Sequence, residues 1–97
     1  MTGQINLMVN DTPIPLDSFV SEFVERTVAG MVASLKGTGR IETLFLSIVG
    51  DTVTINLNGA MVPANPFASS IIRNTVFGMV SSLKGVGEVN RVDISVR

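Results

Sequence analysis

Thr27-Val28-Ala29-Gly30-Met31-Val32-Ala33-Ser34-Leu35-Lys36-Gly37-Thr38-Gly39 returns 48 positions later as Thr75-Val76-Phe77-Gly78-Met79-Val80-Ser81-Ser82-Leu83-Lys84-Gly85-Val86-Gly87. Carried outward without a gap, the same register pairs residues 5–49 with residues 53–97. The chain therefore reads as a single domain, 1–97, made of two internal repeats, 5–49 and 53–97.

Each repeat opens with period-two alternation: Ile5, Leu7 and Val9 in one, Val53, Ile55 and Leu57 in the other, the mark of a half-buried strand. Asn10-Asp11 and Asn58-Gly59 follow, residues that accept the positive φ of a tight hairpin. A short second strand carrying Ile14 or Val62 should fold back, and Pro15 or Pro63 ends it at a sheet edge because proline has no N–H for the ladder. A helix is expected over about 17–34 and 65–82, capped by Asp17 or Asn65, with Pro66 at the first helical position. Phe19, Val20, Phe23, Val24, Thr27, Val28, Met31, Val32 and Leu35 trace a wide apolar stripe on the first helix. Phe67, Ile71, Ile72, Thr75, Val76, Met79, Val80 and Leu83 repeat it on the second. Gly37 and Gly85 suit the left-handed residue after a helix. A third strand points Leu44, Leu46 and Ile48, or Val92, Ile94 and Val96, inward. Gly50-Asp51 reads as a type II′ hairpin loop between the repeats. The fold class is α+β: a tandem ββαβ duplication, with a mainly antiparallel sheet of about six strands and two helices on one face.

Composition narrows what such a domain does. Of 97 residues, 45% are hydrophobic and 15% charged, against about 25% charged in an average soluble domain. A chain this size buries only about 60 to 65% of its unfolded surface, so apolar side chains must reach the exterior, where they mark contact surfaces. A homo-oligomer or a stable protein partner is expected. Net charge −1 removes the attraction that nucleic-acid binding relies on, and no Tyr or Trp offers a stacking platform. No apolar run approaches a membrane span, and the first residues lack a secretory signal pattern, so a cytoplasmic protein is expected.

Histidine and cysteine are absent. That removes the commonest general base at neutral pH, the thiol nucleophile and the usual nitrogen and sulfur metal ligands. The eight carboxylates fall mostly in turns, caps and the polar helix face, so no catalytic residue, cofactor or metal is expected and the chain reads as a non-enzyme. Lys36 and Lys84, in Leu-Lys-Gly-x-Gly loops, are weak anion-binding candidates. Those loops leave helix C-termini, whereas phosphate cradles form at N-termini.

Gly30 and Gly78 are interior helix positions, where glycine costs about 1 kcal/mol relative to alanine. With Ser34 and Ser82 one turn on, they form small edges suited to close helix packing, between the repeats or between subunits. The repeats differ at Met8, Phe45 and Val49, which align with Asn56, Asp93 and Arg97, and at Phe77, which aligns with Ala29. Met8, Phe45, Val49 and Phe77 are thus the candidate interface. The leading function is a non-enzymatic oligomerising or protein-interaction module. The alternative is a small ligand-binding protein holding an apolar or acidic ligand between sheet and helices or between the halves, in a hollow lined by Phe19, Phe23, Met31, Phe67 and Met79.

Overall fold

A computed structural model describes residues 4–36, 41–83 and 86–97. Its elements are β1 (Ile5–Val9), β2 (Thr12–Pro13), α1 (Ser18–Lys36), β3 (Leu44–Val49), β4 (Thr52–Leu57), β5 (Ala60–Met61), α2 (Pro66–Ser81) and β6 (Arg91–Val96). They form an α+β fold with one six-stranded sheet, ordered β2-β1-β6-β3-β4-β5, in which all pairings are antiparallel.

Local chemistry explains the connections. Asn10 and Asp11 take φ of 51° and 66°, and Asn58 and Gly59 take 52° and 84°; positive φ at both central residues is what a type I′ hairpin requires. Gly50, at φ 59°, opens the two-residue loop that pairs Val49 with Thr52. The second strands are short, Thr12–Pro13 and Ala60–Met61, and both end before the prolines expected to stop them, Pro15 and Pro63. Ile14 and Val62 still bond back to Leu7 and Ile55 through their N–H groups, each at 2.9 Å. Asp17 Oδ1 and Asn65 Oδ1 accept from the N–H of Val20 and Ala68, both at 2.8 Å, so both helix starts are capped as expected. α2 ends at Ser82 in a right-handed conformation, with Ser82 N–H donating to the Met79 carbonyl. Gly37 and Gly85 lie outside the described residues.

Three cross-strand rows build the inner face of the sheet: Ile5-Val96-Leu44-Leu57, Leu7-Ile94-Leu46-Ile55 and Val9-Val92-Ile48-Val53. Against them lie Val24, Val28 and Val32 of α1 and Ile72, Val76 and Val80 of α2, all nearly inaccessible. Because inward positions of every long strand share this one core while the alternate positions stay open, both helices lie on the same face. The core is aliphatic throughout, and among the described residues no polar side chain is buried.

Strand order sets how the halves meet. β1 sits between β2 and β6, and β3 sits between β6 and β4, so neither β1 nor β4 pairs with the third strand of its own half. Shifting the β1–β6 register by 48 gives the β3–β4 register: Ile5↔Val96 becomes Val53↔Ile48. Two asparagines tie the interleaved halves. Asn10 Oδ1 accepts from the N–H groups of Asn90 and Arg91 at 2.8 and 2.9 Å, and its Nδ2 donates to the Glu88 carbonyl at 2.7 Å. Asn58 Oδ1 accepts from the N–H groups of Glu42 and Thr43 at 2.7 and 2.9 Å. Each tether fixes the segment leading into a third strand of the other half.

Candidate functional site

All five phenylalanines lie outside the core. Phe19 is 73% exposed, Phe23 53%, Phe45 49% and Phe67 73%, while Phe77 is half-buried. A residue type normally among the most buried is here mostly at the surface, so these side chains define the surfaces to be explained.

The helix stripes divide. Of the apolar positions expected to face inward, Val24, Val28, Val32, Ile72, Val76 and Val80 are buried, and Val20, Met31, Met79 and Leu83 are half-buried. Phe19, Phe23, Phe67 and Ile71 are exposed, as is Leu35 at the end of α1. Successive helical residues point about 100° apart, so a stripe with i, i+1, i+4, i+5 spacing contains two columns, and a flat sheet receives one fully. The valine-rich column takes the sheet and the phenylalanine column turns outward. Three of the five residues expected to line a hollow interior, Phe19, Phe23 and Phe67, are therefore on the outside, and Met31 and Met79 are partly buried against the core cluster. On α1 the Phe19 and Phe23 ring centroids are 6.0 Å apart, and they share a shallow surface groove with Glu22, Arg26 and Thr27.

Gly30 and Gly78 are exposed, and a Cβ built on either meets nothing within 4 Å. Neither close packing between the repeats nor crowding over the sheet accounts for them. Ser34 Oγ donates to the Gly30 carbonyl at 2.9 Å and Ser82 Oγ to the Gly78 carbonyl at 3.0 Å. Thr27 Oγ1 likewise donates to the Phe23 carbonyl at 2.8 Å. The hydroxyls on this helix face are thus satisfied by their own backbone.

On the outer face of the sheet, Phe45 stands between Ser95 and Asn56 in register, Val49 lies two positions further along β3 beyond Ser47, and Met8 faces Asp93 on β1. Met8 is half-buried, Phe45 and Val49 about half exposed, and Met61 at the edge 63% exposed. A polar cluster separates the apolar members. Asp93 Oδ1 accepts from Ser47 Oγ at 2.9 Å and Asp93 Oδ2 from Arg91 Nε at 2.8 Å, with Asp11 3.8 Å from the same guanidinium nitrogen. The Arg91 hydrogen bond holds the Asp93 carboxyl below its ordinary pKa; partial burial opposes this, and the Ser47 bond and the Arg91 charge reinforce it.

Phe77 contacts its own chain. The Arg73 guanidinium carbon lies 4.5 Å from the ring centroid, Arg73 Nε donates to the Gly50 carbonyl at 2.7 Å, and Asp51 lies 3.2 Å away. Phe77 therefore packs beside the core and supports an arginine that clamps the β3–β4 loop onto α2. Lys84 lies outside the described residues, as does the side chain of Lys36.

No protein-family model, curated protein or solved structure matches this chain. Among the described residues no three acidic side chains gather to hold a metal ion, and no helix is long and apolar enough to cross a membrane. Sequence reasoning missed the outward phenylalanine column and the Asn10 and Asn58 tethers. The signal for the tethers was their equivalence between repeats beside neighbours, Asp11 and Gly59, that differ.

Proposed function

We propose that this protein is a non-enzymatic oligomerising module, built by tandem duplication of a ββαβ unit, which buries its aromatic surfaces against other copies of itself. The observation that carries this reading is the inversion of its apolar inventory: aliphatic residues fill the core while Phe19, Phe23, Phe45 and Phe67 stand in solvent. Each buried phenylalanine would gain about 1.5 to 3 kcal/mol on leaving water, and with 15% charged residues little on the surface opposes association. The repeated register and the matched Asn10 and Asn58 tethers support descent from a two-chain ancestor in which the interleaved halves were separate molecules. On the outer sheet face, Phe45 and Val49 with Met8 form the surface where the repeats diverge most in polarity.

Sedimentation velocity over a wide concentration range tests the reading. Wild-type protein should exceed its 10.3 kDa chain mass, and Phe45→Asp with Val49→Asp should lower the mass while leaving the circular dichroism spectrum intact. A wild-type protein that stays at chain mass throughout refutes it.

A further inference from the structure

We infer that α1 docks antiparallel on α1 of a second copy through Phe19, Phe23, Gly30 and Ser34; this rests on the oligomerising reading and names one of its contact surfaces. The spacing along the helix carries the argument. Phe23 follows Phe19 by four positions, Gly30 follows Phe23 by seven, and Ser34 follows Gly30 by four. The series reads the same in both directions. When two such helices run antiparallel, one axial alignment sets Phe23 opposite Gly30 of the copy and Phe19 opposite Ser34 of the copy. Two bulky side chains meet two small ones on each side of the dyad.

The structure supplies what this contact needs. The Phe19 and Phe23 rings, 6.0 Å apart, are both exposed on this face of the helix, and the space over Gly30 is open. Thr27 and Ser34 turn their hydroxyl protons back to their own helix, so the contact can be dry without stranding a donor. Glu22 and Arg26 line the same groove and pair with each other, with side chains 58% and 79% exposed, so the guanidinium next to the dyad carries its own counter-charge. α2 repeats the arrangement with Phe67, Ile71, Gly78 and Ser82, whose hydroxyl is also turned back. A lipid surface or an extended apolar peptide would use the phenylalanines and leave the small half of the row empty. A second copy fills both halves.

The dyad passes between the levels of Arg26 and Thr27, so Thr27→Cys, in a chain that has no cysteine, places the two introduced thiols beside each other. Mild oxidation should convert this variant to a covalent dimer at least tenfold faster than Ser70→Cys, an exposed control on α2. Adding Gly30→Leu, which fills open space on a helix and should leave the fold intact, should abolish that advantage and lower the mass in solution. Equal cross-linking of the two cysteine variants, or a mass unchanged by Gly30→Leu, overturns the inference. If Phe45→Asp lowers the mass while Gly30→Leu does not, the oligomerising reading survives without this surface. If wild-type protein is a monomer, both fall.

Discussion

Replacing Asn10 tests the joint between the interleaved halves most directly, because one side chain does two separable things. Its backbone sits at φ 51°, which costs an L-residue other than glycine roughly 1 to 2 kcal/mol, least for asparagine and aspartate. Its amide makes three hydrogen bonds across to residues 88–91, at 2.7, 2.8 and 2.9 Å. In an exposed setting each contributes about 0.5 to 1 kcal/mol net. Asn10→Gly keeps the turn and loses the bonds, for a loss of about 2 kcal/mol. Asn10→Ala also forces a Cβ into the left-handed region, for about 3 kcal/mol in all. Asn10→Asp keeps the acceptor and the turn but sets an oxygen against the Glu88 carbonyl, for about 1 kcal/mol. Urea denaturation followed by circular dichroism should give the order wild type, Asp, Gly, Ala, with the Ala variant melting roughly 12 to 20 °C lower. If Asn10→Gly is as stable as wild type, the side chain serves only the turn and the tether has no energetic role.

Gly30→Ala with Gly78→Ala should raise the stability of the dilute protein by about 1 kcal/mol per site, since both positions are open; a lower melting temperature would reveal a neighbour that packs there. Because Asp93 has a lowered folded pKa, the stability its ionised form contributes is present above the unfolded value of about 3.9 and is lost as pH falls through the folded pKa. Asp93→Asn should therefore be less stable than wild type at neutral pH, and the gap between them should close on acidification; a gap independent of pH refutes this. Arg73→Ala should loosen the β3–β4 loop, seen as faster amide exchange at Gly50 and Asp51, since it loses the bond to the Gly50 carbonyl and the contact with Asp51. Separate fragments 1–50 and 51–97 should fold on mixing but not as isolated monomers, because β6 takes both its neighbours from the first half; a folded, monomeric fragment at micromolar concentration refutes that.

Much of the fold could be read from the chain because its signals are local. Period-two alternation names the inward residues of β1, β3, β4 and β6, and Asn10-Asp11, Asn58-Gly59 and Gly50-Asp51 each encode a turn in two residues. The caps at Asp17 and Asn65 are equally local. The helix faces were not legible, since Phe19 and Val20, or Phe23 and Val24, are both apolar neighbours about 100° apart. Hydrophobicity favours phenylalanine inside. Packing over the aliphatic rows of the sheet resolves the pair the other way, and that depends on a surface assembled from residues far along the chain. Strand order and the partners of Asn10 and Asn58 were hidden for the same reason: the recurrence of the two asparagines marks them in sequence but does not name a partner that lies 16 positions away for Asn58 or eighty for Asn10. Of the candidate surfaces, divergence between repeats brought out Phe45 and Val49 but could not bring out Phe19 and Phe67, which the repeats share.

The interleaved strand order also has a consequence for synthesis. The ribosome delivers β1 and β3 well before β6, the strand that lies between them and bonds to both. Until residues 91–96 emerge, the inner edges of β1 and β3 face each other across a gap, with Leu7, Leu44, Leu46 and Ile48 waiting for Val92, Ile94 and Val96. Such a nascent chain presents unpaired strand edges, and in a crowded polysome the missing strand can come from a neighbouring molecule as readily as from its own. β6, in the middle of the sheet, follows every other strand along the chain, so whether a molecule closes on itself or on another is decided as residues 91–96 join it.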